Sequence, residues 1–210
     1  MTYIYYSVAV VLLPFLSLMI FVLFNKNKAS YDYIFRLMLA YILFTEVAGT
    51  IFADFLNIKN YAVYNLYCFL FPLLNYWLFS KIISSKTILN HIKVLSVVLV
   101  LIFIIENIIA KNLFTDMQQY TFLISTIFLI YIISAYLVQL LRSDEIQYFN
   151  RSKSFWISLG LLLFSVPFLP ILLAFRFVIF NVEFRMLINL LLIVAMHSCF
   201  IYAILGTKHE

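Results

Sequence analysis

Residues 3–24 read YIYYSVAVVLLPFLSLMIFVLF and contain no charged side chain. A helix needs about 20 predominantly apolar residues to cross the hydrocarbon core of a bilayer. Six further stretches of this kind follow, separated by short polar breaks. The sequence therefore predicts seven membrane spans, at residues 3–24, 33–55, 61–83, 94–110, 117–141, 154–175 and 184–205.

The composition excludes an ordinary soluble protein. Of the 210 residues, 66% are hydrophobic and 11% are charged, whereas a soluble domain is roughly a quarter charged. The apolar stretches are continuous rather than alternating, which favours helices over barrel strands. The loops between them are too short to hold a soluble domain. We therefore expect an all-α, polytopic membrane protein, with residues 1–210 forming a single integral membrane domain built as a seven-helix bundle.

The positions of lysine and arginine predict the orientation in the membrane. Short cytoplasmic loops carry an excess of these residues. Ten of the 14 lie on one side of the predicted spans and four on the other, which places the amino terminus outside and the carboxyl terminus in the cytoplasm. This bias accounts for the net charge of +5. We therefore expect contact with the lipid bilayer and no direct binding of nucleic acid.

Four polar side chains inside the predicted spans are the candidates for a functional core. Ionisable groups at membrane depth are costly and mark functional sites by default. At about 1.5 Å per residue, Glu46 and Asn189 lie near the midplane, with Asn75 and His197 nearer the cytoplasmic end. One interpretation is a core that senses a ligand, relays a proton or lines a solute path. The other is interhelical hydrogen bonding, with Glu46 protonated.

The sequence lacks the usual signatures of catalysis and metal binding. Glycine occurs only at positions 49, 160 and 206, so no phosphate-binding loop or nucleophile elbow is present. The three histidines form no metal-binding pair, and Cys68 and Cys199 differ too much in predicted depth to form a disulfide. We expect no enzymatic activity, no metal and no cofactor.

Three stretches carry a resemblance to a known group of proteins. They are YAVYNLYCFLFPLLNYWLFSKII (Tyr61–Ile83), KSFWISLGLLLFS (Lys153–Ser165) and FRMLINLLLIVAMHSCFIYAIL (Phe184–Leu205). The Phe-Trp-Ile entry to helix six, Gly160 after it, and the pattern from Asn189 to His197 resemble small seven-helix membrane proteins of bacteria with AT-rich genomes. In that group the bundle often precedes a sensor histidine kinase, and it also occurs alone. The membrane accessory protein of type VI-B CRISPR systems is similar in size and character.

These observations leave two functional hypotheses. The first is a non-enzymatic inner-membrane accessory or sensor protein that acts on a soluble cytoplasmic partner through basic loops. The resemblance implies that such a protein modulates an RNA-targeting CRISPR effector in antiviral defence. The alternative is a small-solute transporter or pore with a midplane site at Glu46, Asn189 and His197. Either hypothesis is compatible with a homo-oligomer. The candidate partner-binding residues are Lys81, Lys86, Lys93, Arg151 and Lys153.

The orientation can be tested with a reporter fused after Glu210. A reporter that is active only in the periplasm should be silent, because the basic residues predict a cytoplasmic carboxyl terminus. A cytoplasm-active reporter at the same position serves as the expression control. Strong periplasmic activity would contradict the prediction and would indicate an even number of spans or an inverted orientation.

Overall fold

The computed structural model describes residues 3–25, 29–110, 113–177 and 182–206, and this part of the chain is helical, with no strand. A π-helix, Ile51–Phe55, continues the second α-helix, and a 3-10 helix, Asp144–Arg151, precedes the sixth. The seven α-helices are α1 (Tyr3–Phe24), α2 (Asp32–Thr50), α3 (Tyr61–Ile82), α4 (Lys86–Ala110), α5 (Gln119–Leu141), α6 (Lys153–Phe177) and α7 (Val182–Leu205).

All seven α-helices are long and apolar enough to cross a membrane. This confirms the prediction of an all-helical chain with seven helices of spanning length, as in a multi-pass membrane protein. The largest difference lies in α4, which begins at Lys86 rather than at Val94. The apolar stretch shows where a helix can enter lipid, whereas the helix itself continues through the polar residues before it.

The helices form two compact units. The first unit joins the described residues of Met1–Ala29 and Leu140–Glu210, and contains α1, α6 and α7. The second unit is Ser30–Gln139 and contains α2, α3, α4 and nearly all of α5. Both units contain fully buried apolar side chains, such as Leu161 and Phe200 in the first and Phe35 and Leu39 in the second.

In the first unit, α6 and α7 pack closely where α6 carries Gly160. A Cβ atom added there would lie 2.9 Å from the Met196 carbonyl oxygen and 3.0 Å from the Cβ of Cys199. The absence of a side chain therefore lets the two backbones approach, as small residues do at helix contacts in membranes. Nearby, the rings of Trp156 and Tyr202 are 4.3 Å apart between centroids.

Lys153, the first residue of α6, corrects the expectation of an exposed basic side chain at this position. It is only 3% exposed. Its Nζ donates a hydrogen bond to Asn25 Oδ1 at 2.6 Å and lies 5.1 Å from the centroid of the Phe21 ring. A buried ammonium needs such partners, so Lys153 ties α6 to the end of α1 and offers no surface charge.

In the second unit, buried polar side chains on α3 hold its neighbours. The Asn65 side chain donates hydrogen bonds to the backbone carbonyl oxygens of Leu113 and Asp116. It accepts one from the backbone amide of Gln118. About three turns further along α3, the Tyr76 hydroxyl donates a hydrogen bond to the Ser125 carbonyl oxygen at 3.0 Å. These bonds fix the connection before α5, and α5 itself, against α3.

Glycine 160 provides a test of the close contact between α6 and α7. We expect Gly160→Ala to destabilise the protein by about 1–3 kcal/mol, because overpacking forces backbone atoms apart. Gly206→Ala is the matched control, since the three atoms nearest to its Cβ would belong to the side chain of Tyr202 and not to backbone. Thermal unfolding of the purified protein in detergent measures both. Equal losses for the two variants would contradict the proposed contact.

Candidate functional site

Glu46 on α2 is bonded to Tyr64 on α3, within the second unit. The Tyr64 hydroxyl donates a hydrogen bond to Glu46 Oε2 at 3.2 Å. Gly49, one turn after Glu46, makes room for this ring, because a Cβ there would lie only 2.8 Å from the Tyr64 hydroxyl oxygen. Asn60 then donates from Nδ2 to the Gly49 carbonyl at 3.3 Å. The three contacts fix the register between α2 and α3 at this level.

This register places Glu46 close to the start of α3 rather than halfway along it. Tyr64 is three residues after Tyr61, where α3 begins, and Asn60 immediately precedes that helix. The estimate of a midplane position followed α2 alone. The helical segment that starts with α2 continues as a π-helix to Phe55 and passes the level of Asn60. The position predicted for Glu46 from α2 alone took no account of this register.

Aromatic rings line the same side of α3. Tyr64 and Tyr67 are three residues apart and so share a helix face. The Tyr67 ring stacks on Tyr41 of α2, with centroids 6.0 Å apart, and on Phe71, with centroids 4.9 Å apart. Tyr41, Tyr64 and Tyr67 are all partly exposed, and so is Glu46. An acidic side chain thus lies at the end of a row of tyrosine rings.

The Glu46 carboxylate has unused hydrogen-bonding capacity. A carboxylate has about four lone-pair positions on its two oxygens. Tyr64 occupies one of these at Oε2, and no other described residue donates a hydrogen bond to Glu46. The group can therefore accept a further hydrogen bond without breaking its contact with Tyr64.

The two predicted polar residues of α7 are both bonded to α1, within the first unit. Asn189 donates from Nδ2 to the Tyr6 hydroxyl at 2.6 Å. His197 Nδ1 and Ser17 Oγ are hydrogen-bonded at 2.8 Å, and both side chains are fully buried. His197 Nε2 has no partner among the described residues. Asn189 and His197 each join α7 to α1 and are not bonded to each other.

Asn75, the remaining predicted core residue, bonds within its own helix. Its Nδ2 donates to the Phe71 carbonyl at 2.8 Å, and the side chain is fully buried. Its Oδ1 has no partner in the part of the chain that the structure describes. Glu46 and Asn75 belong to the second unit, whereas Asn189 and His197 belong to the first.

The predicted partner-binding residues also fall in both units. Lys81, Lys86 and Lys93 are exposed around the connection from α3 to α4 in the second unit. We call these three residues the basic surface. Arg151 is exposed in the first unit, with its guanidinium 5.9 Å from the centroid of the Tyr148 ring. Lys153 is buried, as described above.

Sequence reasoning missed the polar network at the ends of α4 and α5. Glu106 accepts hydrogen bonds from the Tyr120 amide, the Thr121 amide and the Thr121 hydroxyl at 3.1, 2.7 and 2.6 Å. It therefore satisfies the free amide groups at the start of α5. Asn107 accepts a hydrogen bond from Gln118 beside it. The segment Asp116–Thr121 is mainly polar and directly precedes an apolar stretch. This pattern was the available sequence signal of a helix start.

The described residues contain no group of three His, Cys, Asp or Glu side chains that could hold a metal ion. Both cysteines, Cys68 and Cys199, are buried and free. Comparison with family models, curated proteins and solved structures found no match for this chain.

Proposed function

We propose that the chain is a non-enzymatic accessory or sensor protein of the bacterial inner membrane that acts on a soluble cytoplasmic partner. The observation that carries the proposal is the polar beginning of α4. This helix starts at Lys86, ahead of the apolar stretch from Val94. The added segment is about 12 Å long. It offers a structured surface beyond the apolar stretch.

The polar beginning of α4, from Lys86 to Lys93, is held in place by its own apolar and aromatic contacts. Ile92 is only 4% exposed. His91 Nδ1 is hydrogen-bonded to the Tyr131 hydroxyl of α5 at 2.6 Å. Lys86 and Lys93 remain exposed and are seven residues apart, which puts them on nearly the same side of the helix, two turns apart.

The charge of this segment is not balanced within the sequence around it. Residues 81–93 contain three lysines and no acidic residue. Lys86 is also the first residue of α4, where the helix dipole is positive and a cation is unfavourable. An acidic protein surface would relieve this repulsion and would be attracted over a distance of several ångströms. The basic surface therefore supports binding to an acidic, soluble partner.

The resemblance noted for helices three, six and seven suggests which partners to test first. They are a cytoplasmic sensor kinase and an RNA-targeting CRISPR effector of an antiviral system. The neighbouring genes distinguish between these two partners. A CRISPR effector or a kinase encoded beside this chain supports the proposal. A metabolic operon would instead favour the small-solute transporter or pore, for which the partly exposed Glu46 carboxylate is the supporting observation.

Replacement of Lys81, Lys86 and Lys93 by glutamine tests the proposal. Co-purification with the soluble product of the neighbouring gene should fall at least about tenfold at low salt. The wild-type interaction should weaken as salt is raised, because ions screen charge attraction. Lys59→Gln is the matched control, since Lys59 is exposed at the other end of α3. Arg151→Gln tests the first unit separately.

The membrane insertion of each variant must also be measured, because basic residues direct the orientation of the spans in the membrane. Lys153→Gln should lower the amount of folded protein rather than binding, because the Lys153 ammonium is buried against Asn25. Undiminished partner recovery by the triple variant, correctly inserted and at wild-type abundance, would contradict the proposal.

A further inference from the structure

We propose that Tyr33 and Arg36 of α2 and Trp77 of α3 bind the headgroup of an anionic phospholipid, whose acyl chains lie along exposed apolar side chains of these two helices. We call the three residues the lipid site. All three belong to the second unit. The lipid site shares no residue with the basic surface, so either proposal can fail alone.

The first argument is the Arg36 guanidinium, which has no anionic partner within the protein. Arg36 is exposed, and its guanidinium carbon lies 5.8 Å from the centroid of the Tyr33 ring. No described residue forms an ion pair or a hydrogen bond with this guanidinium. Its five N–H donors form a planar fork that matches two oxygens of a phosphate group. Arg36 therefore offers an unused recognition group for a phosphate.

The second argument is the aromatic contact that places a ring of α3 beside the same tyrosine. The Tyr33 and Trp77 rings meet edge to face, with centroids 6.4 Å apart and planes at 77°. Tyr33 is 59% exposed and Trp77 is 44% exposed. Tyr33 is the second residue of α2, and Trp77 lies within two turns of the end of α3. Tyrosine and tryptophan at helix ends typically lie at the level of the lipid headgroups.

The third argument is that four exposed apolar side chains continue from the lipid site along α2 and α3. Each lies within about 40° of Tyr33 or Trp77 around its own helix, because a helix turns by about 100° per residue. They are Leu37 and Phe44 on α2, and Leu66 and Leu70 on α3. A cation and two amphipathic rings thus lie at one end of an apolar surface, as binding of an amphiphile requires.

This combination favours a lipid over a free phosphate or an acidic protein. A soluble anion could use the guanidinium, but it would gain nothing from the apolar side chains. Those side chains belong to the candidate spans Asp32–Phe55 and Tyr61–Ile82, where acyl chains are the natural contact. The basic residues predict that this end of both helices faces the cytoplasm, where anionic lipids make the membrane surface negative. The proposed occupant is phosphatidylglycerol, whose single negative charge matches the single guanidinium.

Fluorescence of Trp77 tests the proposal. The sequence contains two tryptophans, so Trp156→Phe leaves Trp77 as the only indole. The full chain is reconstituted in mixed vesicles of phosphatidylglycerol and phosphatidylcholine, with brominated acyl chains first on one lipid and then on the other. Bromine quenches a neighbouring indole, and the two series give the preference of the site for phosphatidylglycerol. We expect a preference of at least about threefold, which Arg36→Gln should lower to about one. Arg36→Lys should give an intermediate value, because lysine keeps the charge but loses the planar fork.

Arg142→Gln is the matched control. It removes the same charge from an exposed residue immediately after α5, and the preference should remain. Thermal unfolding of each variant verifies that it is folded. Native mass spectrometry of the chain with both tryptophans is a second measurement that does not depend on Trp156→Phe. The wild type should retain a phosphatidylglycerol molecule that Arg36→Gln loses.

Three results would overturn the proposal. The first is an absence of preference for phosphatidylglycerol in the wild type, or an undiminished preference in a folded Arg36→Gln protein. The second is an equal loss in Arg142→Gln, which would assign the preference to net charge. The third is loss of the preference when soluble glycerol phosphate is added at the lipid concentration, which would identify a free phosphate as the occupant. Weaker co-purification of Arg36→Gln with the soluble partner, at unchanged quenching, would instead assign Arg36 to a protein interface and would also overturn the proposal.

Discussion

The structure depends on one constraint, which is that a polar group within an apolar helix must find its partner in the protein. Lipid offers neither donors nor acceptors, so an unpaired group costs several kcal/mol. In the first unit, Asn189 is bonded to Tyr6 and His197 to Ser17, which joins α7 to α1 at two levels. In the second unit, Tyr76 is bonded to the backbone of α5. Polar side chains thus specify which helices are neighbours.

Glu46 differs from these residues in its exposure. The Ser17–His197 and Tyr76–Ser125 contacts are buried, whereas Glu46 is partly exposed and is bonded to Tyr64 of α3. Along α3, Tyr64 and Lys81 are about 25 Å apart.

The sequence predicted the helices well and their contacts poorly. Seven continuous apolar stretches predict seven helices because lipid selects for length and hydropathy. The early start of α4 at Lys86 was missed because hydropathy reports entry into lipid and not the end of a helix. The burial of Lys153 depends on Asn25, far away in the sequence. Likewise, the level of Glu46 depends on the register of α2 against α3, which no local pattern encodes.

The bond between Glu46 and Tyr64 is central, because it sets this register and holds the carboxylate beside the tyrosines. A double-mutant cycle with Glu46→Ala and Tyr64→Phe, measured by the free energy of unfolding in detergent, tests this bond. The cycle separates the interaction energy of the pair from the effect of each single substitution. We expect a coupling energy of about 0.5–3 kcal/mol, as for a hydrogen bond to a neutral or charged acceptor. Strictly additive losses would contradict it.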